Sequence, residues 1–112
     1  TLVGMVIDIH TQRPVLSAMT GGLSGPAIRP IAVRMVWEVA HVVDLPIVGM
    51  GGITCAEDAL EFFLAGATAV SIGTANFMDP RTPLKVLEGI QSYLVKKGYE
   101  DIHQIIGVTK RG

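Results

Sequence analysis

Apolar residues recur along this chain with two alternating periods, and the alternation predicts strands followed by helices. Residues 28–43 place apolar side chains at helical spacing, and a second helical stripe covers residues 56–64. Short apolar runs bounded by turn residues, PIVGM at 46–50 and TAVSIG at 68–73, predict strands that are buried on both faces. This order favours an α/β protein with parallel strands.

Both ends of the chain predict shorter elements. Residues 2–8 predict a strand, and Thr11–Pro14 predicts a turn into a second extended run, Val15–Met19. A glycine-rich loop, GGLSG at 21–25, follows that run. A short last helix is expected over residues 102–106.

Helix boundaries carry their own signals. Thr54 and Glu57 have the spacing of a capping box, and Gly66 is expected to end the helix that they begin. Thr82 is expected to cap a further helix that runs to Gly98. The apolar stripe expected on that helix consists of Leu84, Leu87, Ile90 and Leu94.

Two architectures are compatible with this order of elements. Alternating strands and helices occur in doubly wound sheets and in (β/α)8 barrels, and a complete barrel needs about 250 residues. A chain of 112 residues with three or four predicted strands could supply only part of a barrel. No linker or low-complexity stretch divides the chain, so we treat residues 1–112 as one structural unit.

Composition narrows the classes of partner. Charged residues make up 17% of the chain, which is less than the roughly one quarter usual in soluble domains, so some apolar surface is expected to meet another surface. A net charge of −1 gives no broad attraction for nucleic acid or anionic lipid. The absence of a long apolar run and the single cysteine favour a cytoplasmic protein without a membrane span.

The strongest candidate for chemistry is a set of glycines that follow predicted strands. Gly51-Gly52 comes after PIVGM, and Gly73-Thr74 comes after AVSI. Glycine lets backbone amides approach a phosphate closely, and Thr74 adds a hydroxyl donor. Gly25 would allow the same close approach to a flat ligand. The alternative is that these are ordinary turn glycines.

Other reactive residue types form no catalytic or metal-binding pattern. Cys55 is interpreted as a packing residue, because no histidine lies near it in sequence. His10, His41 and His103 lack metal-ligand spacing, and we predict no metal site. No paired carboxylates are evident, and the methionines are interpreted as core residues.

Two long segments resemble the dihydroorotate dehydrogenase family. They are TGGLSGPAIRPIAVRMVWEVA at 20–40 and PIVGMGGITCAEDALEFFLAGATAVSIGTANF at 46–77, and the resemblance extends over essentially the whole chain. The continuation of GGLSG into PAIRPIA, together with GMGGI, resembles the class 1B, NAD-linked catalytic subunit. The resemblance implies the C-terminal portion of an FMN-binding (β/α)8 TIM barrel, with the N-terminal part of the barrel absent.

The resemblance also implies roles for particular residues. The FMN phosphate would lie on Gly51, Gly52, Gly73 and Thr74, with Gly25 also against the cofactor. Thr1 would be the second residue of an Asn-Thr pair that holds the pyrimidine substrate. The family's catalytic cysteine would lie outside this chain, and Cys55 does not occupy its position.

The function implied is the FMN-dependent oxidation of dihydroorotate to orotate in pyrimidine biosynthesis. Electrons would pass to NAD through a partner subunit that carries FAD and an iron-sulfur cluster, and the catalytic subunit would be a homodimer. These 112 residues are expected to be inactive alone. The alternatives are another flavin barrel, similar to dihydropyrimidine dehydrogenase, or a half-barrel that binds phosphate or assembles without catalysis.

Overall fold

The first 21 described residues form an antiparallel arm. The computed structural model describes residues 2–111, with side chains described for residues 2–109. The arm, residues 2–22, contains four two-residue strands: β1 (Val3–Gly4), β2 (Ile7–Asp8), β3 (Arg13–Pro14) and β4 (Gly21–Gly22). Strand β2 pairs with β3 and β1 pairs with β4, and both pairs are antiparallel.

The arm corrects three predictions. The strand expected over residues 2–8 is interrupted, the extended run expected at Val15–Met19 is a series of bends and turns, and the strands are not parallel here. The cause is the turn after β2, where the Asp8 carboxylate accepts hydrogen bonds from the amides of His10 (2.8 Å) and Thr11 (3.3 Å). This side-chain turn reverses the chain before a longer strand can form.

The rest of the chain follows the predicted alternation. A 3₁₀ turn, Pro26–Ile28, leads into helix α1 (Arg29–Val42), which is followed by β5 (Val48–Met50), α2 (Ala56–Ala65) and β6 (Ala69–Ser71). Strands β5 and β6 are parallel, with Val48 opposite Ala69 and Met50 opposite Ser71. The predicted parallel α/β unit is therefore confirmed for this region.

Helix α2 lies at the centre of the packing. Most of its apolar residues are buried between α1 and the C-terminal helices, and Phe62 is completely buried. Phe62 lies directly under β5, since a Cβ built on Gly49 would come within 2.6 Å of its ring. A side chain at position 49 would therefore push α2 away from the strand.

The C-terminal region has three further helices. They are α3 (Ala75–Met78), α4 (Thr82–Lys97) and α5 (Val108–Arg111), with a 3₁₀ turn at Ile102–Gln104. Gly66 ends α2 with φ of +128° and Gly98 ends α4 with φ of +77°, as predicted. Helix α3 was not predicted, and the helix expected over residues 102–106 is reduced to the 3₁₀ turn.

Two predicted helix starts are displaced by one residue. The N-cap of α2 is Cys55, and Asp58 rather than Glu57 folds back to bond Thr54. Thr82 is the first residue of α4 and not its cap, and its hydroxyl donates to the carbonyl of Asp79 at 2.7 Å. Helix ends fray, so a displacement of one residue leaves both predicted helices in place.

Burial differs from prediction on α4 and on the strands. Leu84 and Leu87 are 62% and 53% exposed, whereas Val86 is buried. Val48 and Met50 of β5 are 55% and 60% exposed, so the parallel strands are covered on one face only. The low content of charged residues thus corresponds to apolar surface that is exposed to solvent in this chain.

Candidate functional site

All five glycine and threonine positions that were predicted to bind a cofactor line one cleft. Its volume is about 440 Å³, and it lies at the carboxyl ends of β5 and β6. Gly25 reaches it from the loop before α1, Gly51 and Gly52 from the end of β5, and Gly73 with Thr74 from the end of β6. Three separate segments of the sequence therefore meet at one place.

The backbone at Gly51 and Gly52 has a conformation that favours glycine. Their φ angles are +125° and +72°. A Cβ on Gly52 would lie 2.8 Å from the carbonyl oxygen of Gly25 and 2.9 Å from the Cβ of Arg29. Gly52 thus allows the loop after β5 to pack directly on the loop before α1.

Gly25 and Gly73 face open space. A Cβ built on either residue would meet no other atom within 4 Å. Packing within the described chain therefore does not explain the glycine at position 73, and Gly25 has a φ of +96° that other residues rarely adopt. Both positions leave room for a ligand to approach the backbone closely.

Hydrogen-bond donors are available around the cleft. Among the loop and turn hydrogen bonds of residues 2–111, none uses the amide of Gly51, Gly52, Gly73 or Thr74 as donor. Hydroxyl groups of Ser24, Ser71 and Thr74 also belong to lining residues, whereas the hydroxyl of Thr54 already donates to Asp58. The described lining includes no charged side chain, so the cleft can bind an anion only through these neutral donors.

An apolar wall completes the cleft, and the sequence analysis missed it. Met35, Met50 and Met78 were interpreted as core residues, yet all three line the cleft and are exposed. Leu2 of the arm and Leu23, which follows the arm, extend this wall. The position of Met50 directly before Gly51-Gly52 was the one available signal, because a residue at a strand end lies beside the loop that follows it.

An ion-pair network lies behind the glycine loops. The Asp58 carboxylate binds the Arg29 guanidinium at 2.9 Å, and it accepts hydrogen bonds from the Thr54 amide (3.0 Å) and hydroxyl (2.9 Å). Burial acts to raise the pKa of Asp58, but the bonds from Thr54 and the charge of Arg29 outweigh it and lower the pKa. Arg29 also pairs with the exposed Glu61 at 2.9 Å.

The remaining candidates form no second site within the described chain. Burial is the main cause that raises the pKa of the Cys55 thiol, so the thiol stays protonated and matches its interpretation as a packing residue. Over residues 2–111, no group of three or more His, Cys, Asp or Glu side chains could hold a metal ion. Thr1, the predicted substrate residue, lies outside the described residues.

A helix must be both long and apolar to cross a bilayer. No helix in the described part of the chain is both long enough and apolar enough to cross a membrane.

The fold and the cleft define the class of protein. It is a parallel α/β protein in which glycine-bearing loops at the carboxyl ends of neighbouring strands form one ligand-sized cleft. More particularly, the chain belongs to the dihydroorotate dehydrogenase family, since residues 1–94 match the family model of that description. The resemblance drawn from the GGLSG and GMGGI segments is confirmed.

Curated relatives carry one shared name. The chain is 60% identical over 107 residues to the dihydroorotate dehydrogenase B (NAD(+)) catalytic subunit of Alkaliphilus oremlandii, covering 96% of this chain and 35% of the relative. It is 57% identical over 110 residues to the subunit of the same name from Phocaeicola vulgatus, covering 98% and 36%. The chain thus spans about a third of the length of these relatives, and its similarity to class 1B catalytic subunits is confirmed.

A solved structure has a similar fold. DHODH from Eimeria tenella, crystallised with ferulenol, superposes with a TM-score of 0.78 at 25% sequence identity, over 97% of this chain and 30% of that chain. The likeness supports the α/β arrangement described above.

Proposed function

We propose that this chain supplies the FMN-phosphate side of the active site in a class 1B dihydroorotate dehydrogenase. The observation that carries the proposal is the meeting of Gly25, Gly51-Gly52 and Gly73-Thr74 in one cleft. In the proposed whole enzyme, residues 1–112 are the C-terminal portion of one FMN-binding (β/α)8 barrel domain. The bare face of β5 and β6 would then look into the barrel.

The two surfaces of the cleft fit the two parts of FMN. A phosphate needs converging donors, which the amides and hydroxyls of the glycine loops offer. An isoalloxazine ring needs a flat apolar surface, which the methionine and leucine wall offers. The volume of about 440 Å³ lies within the range of roughly 300–1,000 Å³ usual for small-molecule sites.

Each residue of the cleft has a proposed task. The amides of Gly51, Gly52 and Gly73, together with the Thr74 amide and hydroxyl, would bind the phosphate oxygens. Gly25 would let the cofactor lie against the backbone, because no side chain stands there. When bound, FMN supplies the electron acceptor for the oxidation of dihydroorotate to orotate.

This chain's own residues do not supply the base for that reaction. The only cysteine in the sequence is Cys55, and its raised pKa keeps the thiol protonated. Proton removal from dihydroorotate is therefore assigned to another part of the enzyme. Thr1 of this chain would contribute to the substrate site. We expect negligible dihydroorotate oxidation by these 112 residues alone, and measurable turnover would contradict this assignment.

The proposed assembly follows the family. The catalytic subunit would form a homodimer in the cytoplasm and pass electrons to NAD through a partner subunit that carries FAD and an iron-sulfur cluster. The shared name of the curated relatives, an NAD-linked catalytic subunit, supports this proposal over a flavin barrel similar to dihydropyrimidine dehydrogenase.

Quenching of flavin fluorescence tests the proposed site. FMN and riboflavin differ only in the phosphate, so we expect FMN to bind at least about tenfold more tightly, as one hydrogen bond to a charged group would give. Equal binding of both ligands would refute the phosphate site. Binding of neither, together with self-association, would favour the half-barrel alternative without catalysis.

A further inference from the structure

The carboxylate of Asp58 joins two of the loops that line the cleft. One oxygen, Oδ1, pairs with Nη1 of Arg29 at the start of α1, and the other, Oδ2, accepts from both the amide and the hydroxyl of Thr54. Asp58 is itself buried, on the first turn of α2. We call this set, Arg29, Asp58 and Thr54, the carboxylate clamp.

The clamp acts at the point where the two loops are closest. Gly52 is two residues from Thr54, and its Cα faces both the carbonyl oxygen of Gly25 and the Cβ of Arg29. Arg29 in turn follows the 3₁₀ turn that begins after Gly25, where the Ile28 amide donates to the Gly25 carbonyl at 3.2 Å. Holding Arg29 against Thr54 therefore holds the Gly25 loop against the Gly51-Gly52 loop.

Charge gives the clamp a second effect on the cleft. A lone carboxylate on the first turn of α2 would repel an anion bound by the adjacent glycine loop. Arg29 neutralises this charge at 2.9 Å, while its own guanidinium stays out of the cleft lining. The Asp58–Arg29 pair is therefore neutral, and Glu61, the second partner of Arg29, is exposed to solvent.

We propose that the carboxylate clamp is a positioning device for the phosphate of FMN. Its residues set the spacing between the Gly25 loop and the amides of Gly51 and Gly52, and the clamp need not touch the cofactor. The inference rests on the proposed function, because it assumes that these amides bind the phosphate.

The test compares FMN with riboflavin on variants of the clamp. In Asp58→Asn and Arg29→Met, the Kd for FMN should rise by about tenfold or more, as expected for misplacing one charge-assisted hydrogen bond. The Kd for riboflavin should change by less than about threefold, since it makes no phosphate contact. Both are measured by fluorescence quenching at a temperature where circular dichroism shows the variant folded.

Two further variants separate positioning from general stability. Glu61→Gln removes only the exposed partner of Arg29. It should leave the ratio of the two dissociation constants, for riboflavin and for FMN, unchanged. Arg29→Lys keeps the positive charge and should recover most of the affinity that Arg29→Met loses. If Asp58→Asn does not fold, Arg29→Met with the Arg29→Lys rescue still decides the question.

The outcomes distinguish the two proposals. The preference for FMN is the Kd for riboflavin divided by the Kd for FMN. A preference that is high in the unmodified chain and falls in the clamp variants supports the positioning role. If the preference for FMN is high and stays high in the variants, or if the variants weaken the binding of both ligands equally, the positioning role is overturned and the FMN site still stands. Equal affinities in the unmodified chain overturn the FMN site, and the positioning role with it.

Discussion

The arm and the parallel unit of this protein are held together by different forces. In residues 2–22 no side chain is buried, and the chain is ordered by short ladders and the Asp8 turn. In the parallel unit, which consists of α1, β5, α2, β6 and α4, apolar side chains surround Phe62. Burial of apolar area stabilises far more than isolated hydrogen bonds in water, so the unit carries the stability of the fold.

The cleft lies where these two regions meet. Leu2 belongs to the arm, and Leu23 is the first residue after it. The glycines of the cleft come from the loops of the parallel unit, at Gly51, Gly52 and Gly73. A ligand in the cleft would therefore contact both a firmly packed surface and a weakly held one. The glycine loops that follow β5 and β6 belong to the firmly packed side.

Truncation of Phe62 should produce the largest difference between the regions. Phe62→Ala removes a completely buried ring under β5 and should lower the free energy of unfolding by about 3–5 kcal/mol. Ile7→Ala in the arm removes a side chain that is 55% exposed and should change the free energy of unfolding by less than about 1 kcal/mol. Urea denaturation monitored by circular dichroism measures both.

The contrast would fail if the two substitutions had similar effects. A large loss in Ile7→Ala would mean that the arm is packed against something in solution, such as a second copy of the chain. A small loss in Phe62→Ala would mean that α2 does not hold the strands as the structure shows.

Substitution of Gly52 should have the next largest effect, because this residue sits between the two loops of the cleft. In Gly52→Ala the new Cβ would meet the Gly25 carbonyl at 2.8 Å, and φ is already +72°. We expect a loss of about 2 kcal/mol in stability and at least a tenfold loss in FMN affinity. Gly98→Ala is the matched control, since φ is +77° there but no atom lies within 4 Å.

Equal effects of these two substitutions would contradict the close contact between the loops. In Gly98→Ala only the backbone penalty of about 1 kcal/mol is expected, with FMN binding unchanged. The difference between the two variants therefore measures the loop contact itself, separately from the cost of a positive φ.

The parallel unit could be predicted from sequence because its signals are local and agree with one another. The helical spacing of α1 and α2, the glycines at 66 and 98, and the apolar runs at β5 and β6 all specify the same alternation. The exposed face of α4 could not be predicted in this way. Leu84, Val86 and Leu87 are all apolar, and only the position of α2 decides that Val86 is the one buried.

The arm was mispredicted for a related reason. Val15–Met19 has the composition of a strand, but its pairing depends on where the Asp8 turn reverses the chain. In the cleft, glycine after a strand was a sufficient signal to predict that Gly51-Gly52 and Gly73-Thr74 lie at one site. The methionine wall was not predictable, because an apolar side chain looks the same in sequence whether it faces a core or a cleft.

Loss of the Asp8 carboxylate should have a smaller effect that is confined to the arm. In Asp8→Ala the amides of His10 and Thr11 lose their acceptor. The pairing of β2 with β3 should therefore be less stable by about 1 kcal/mol. Hydrogen exchange of the amides in β2 and β3 should become faster, while exchange in α2 and β6 should not change. Faster exchange throughout the chain would show that the arm and the parallel unit open together.

The smallest expected effect concerns the surface of the parallel unit, at the start of α4. Asp79 is bound by the Lys85 ammonium and by the backbone amide of Arg81 (2.9 Å), and these bonds lower its pKa from 3.8 to about 2. Because the folded pKa is lowered, the stabilisation is present above the unfolded value and is lost as pH falls from 3.8 through about 2.

An NMR titration of the Asp79 carboxyl group checks this pair directly. Lys85→Met should raise the pKa toward 3.8, with little change in stability at neutral pH, because exposed pairs are screened by water. A titration midpoint near 3.8 in the unmodified chain would mean that the pair does not form. If it does form, its loss in acid should leave the difference between Phe62→Ala and Ile7→Ala intact, since that difference arises from apolar burial and not from charge.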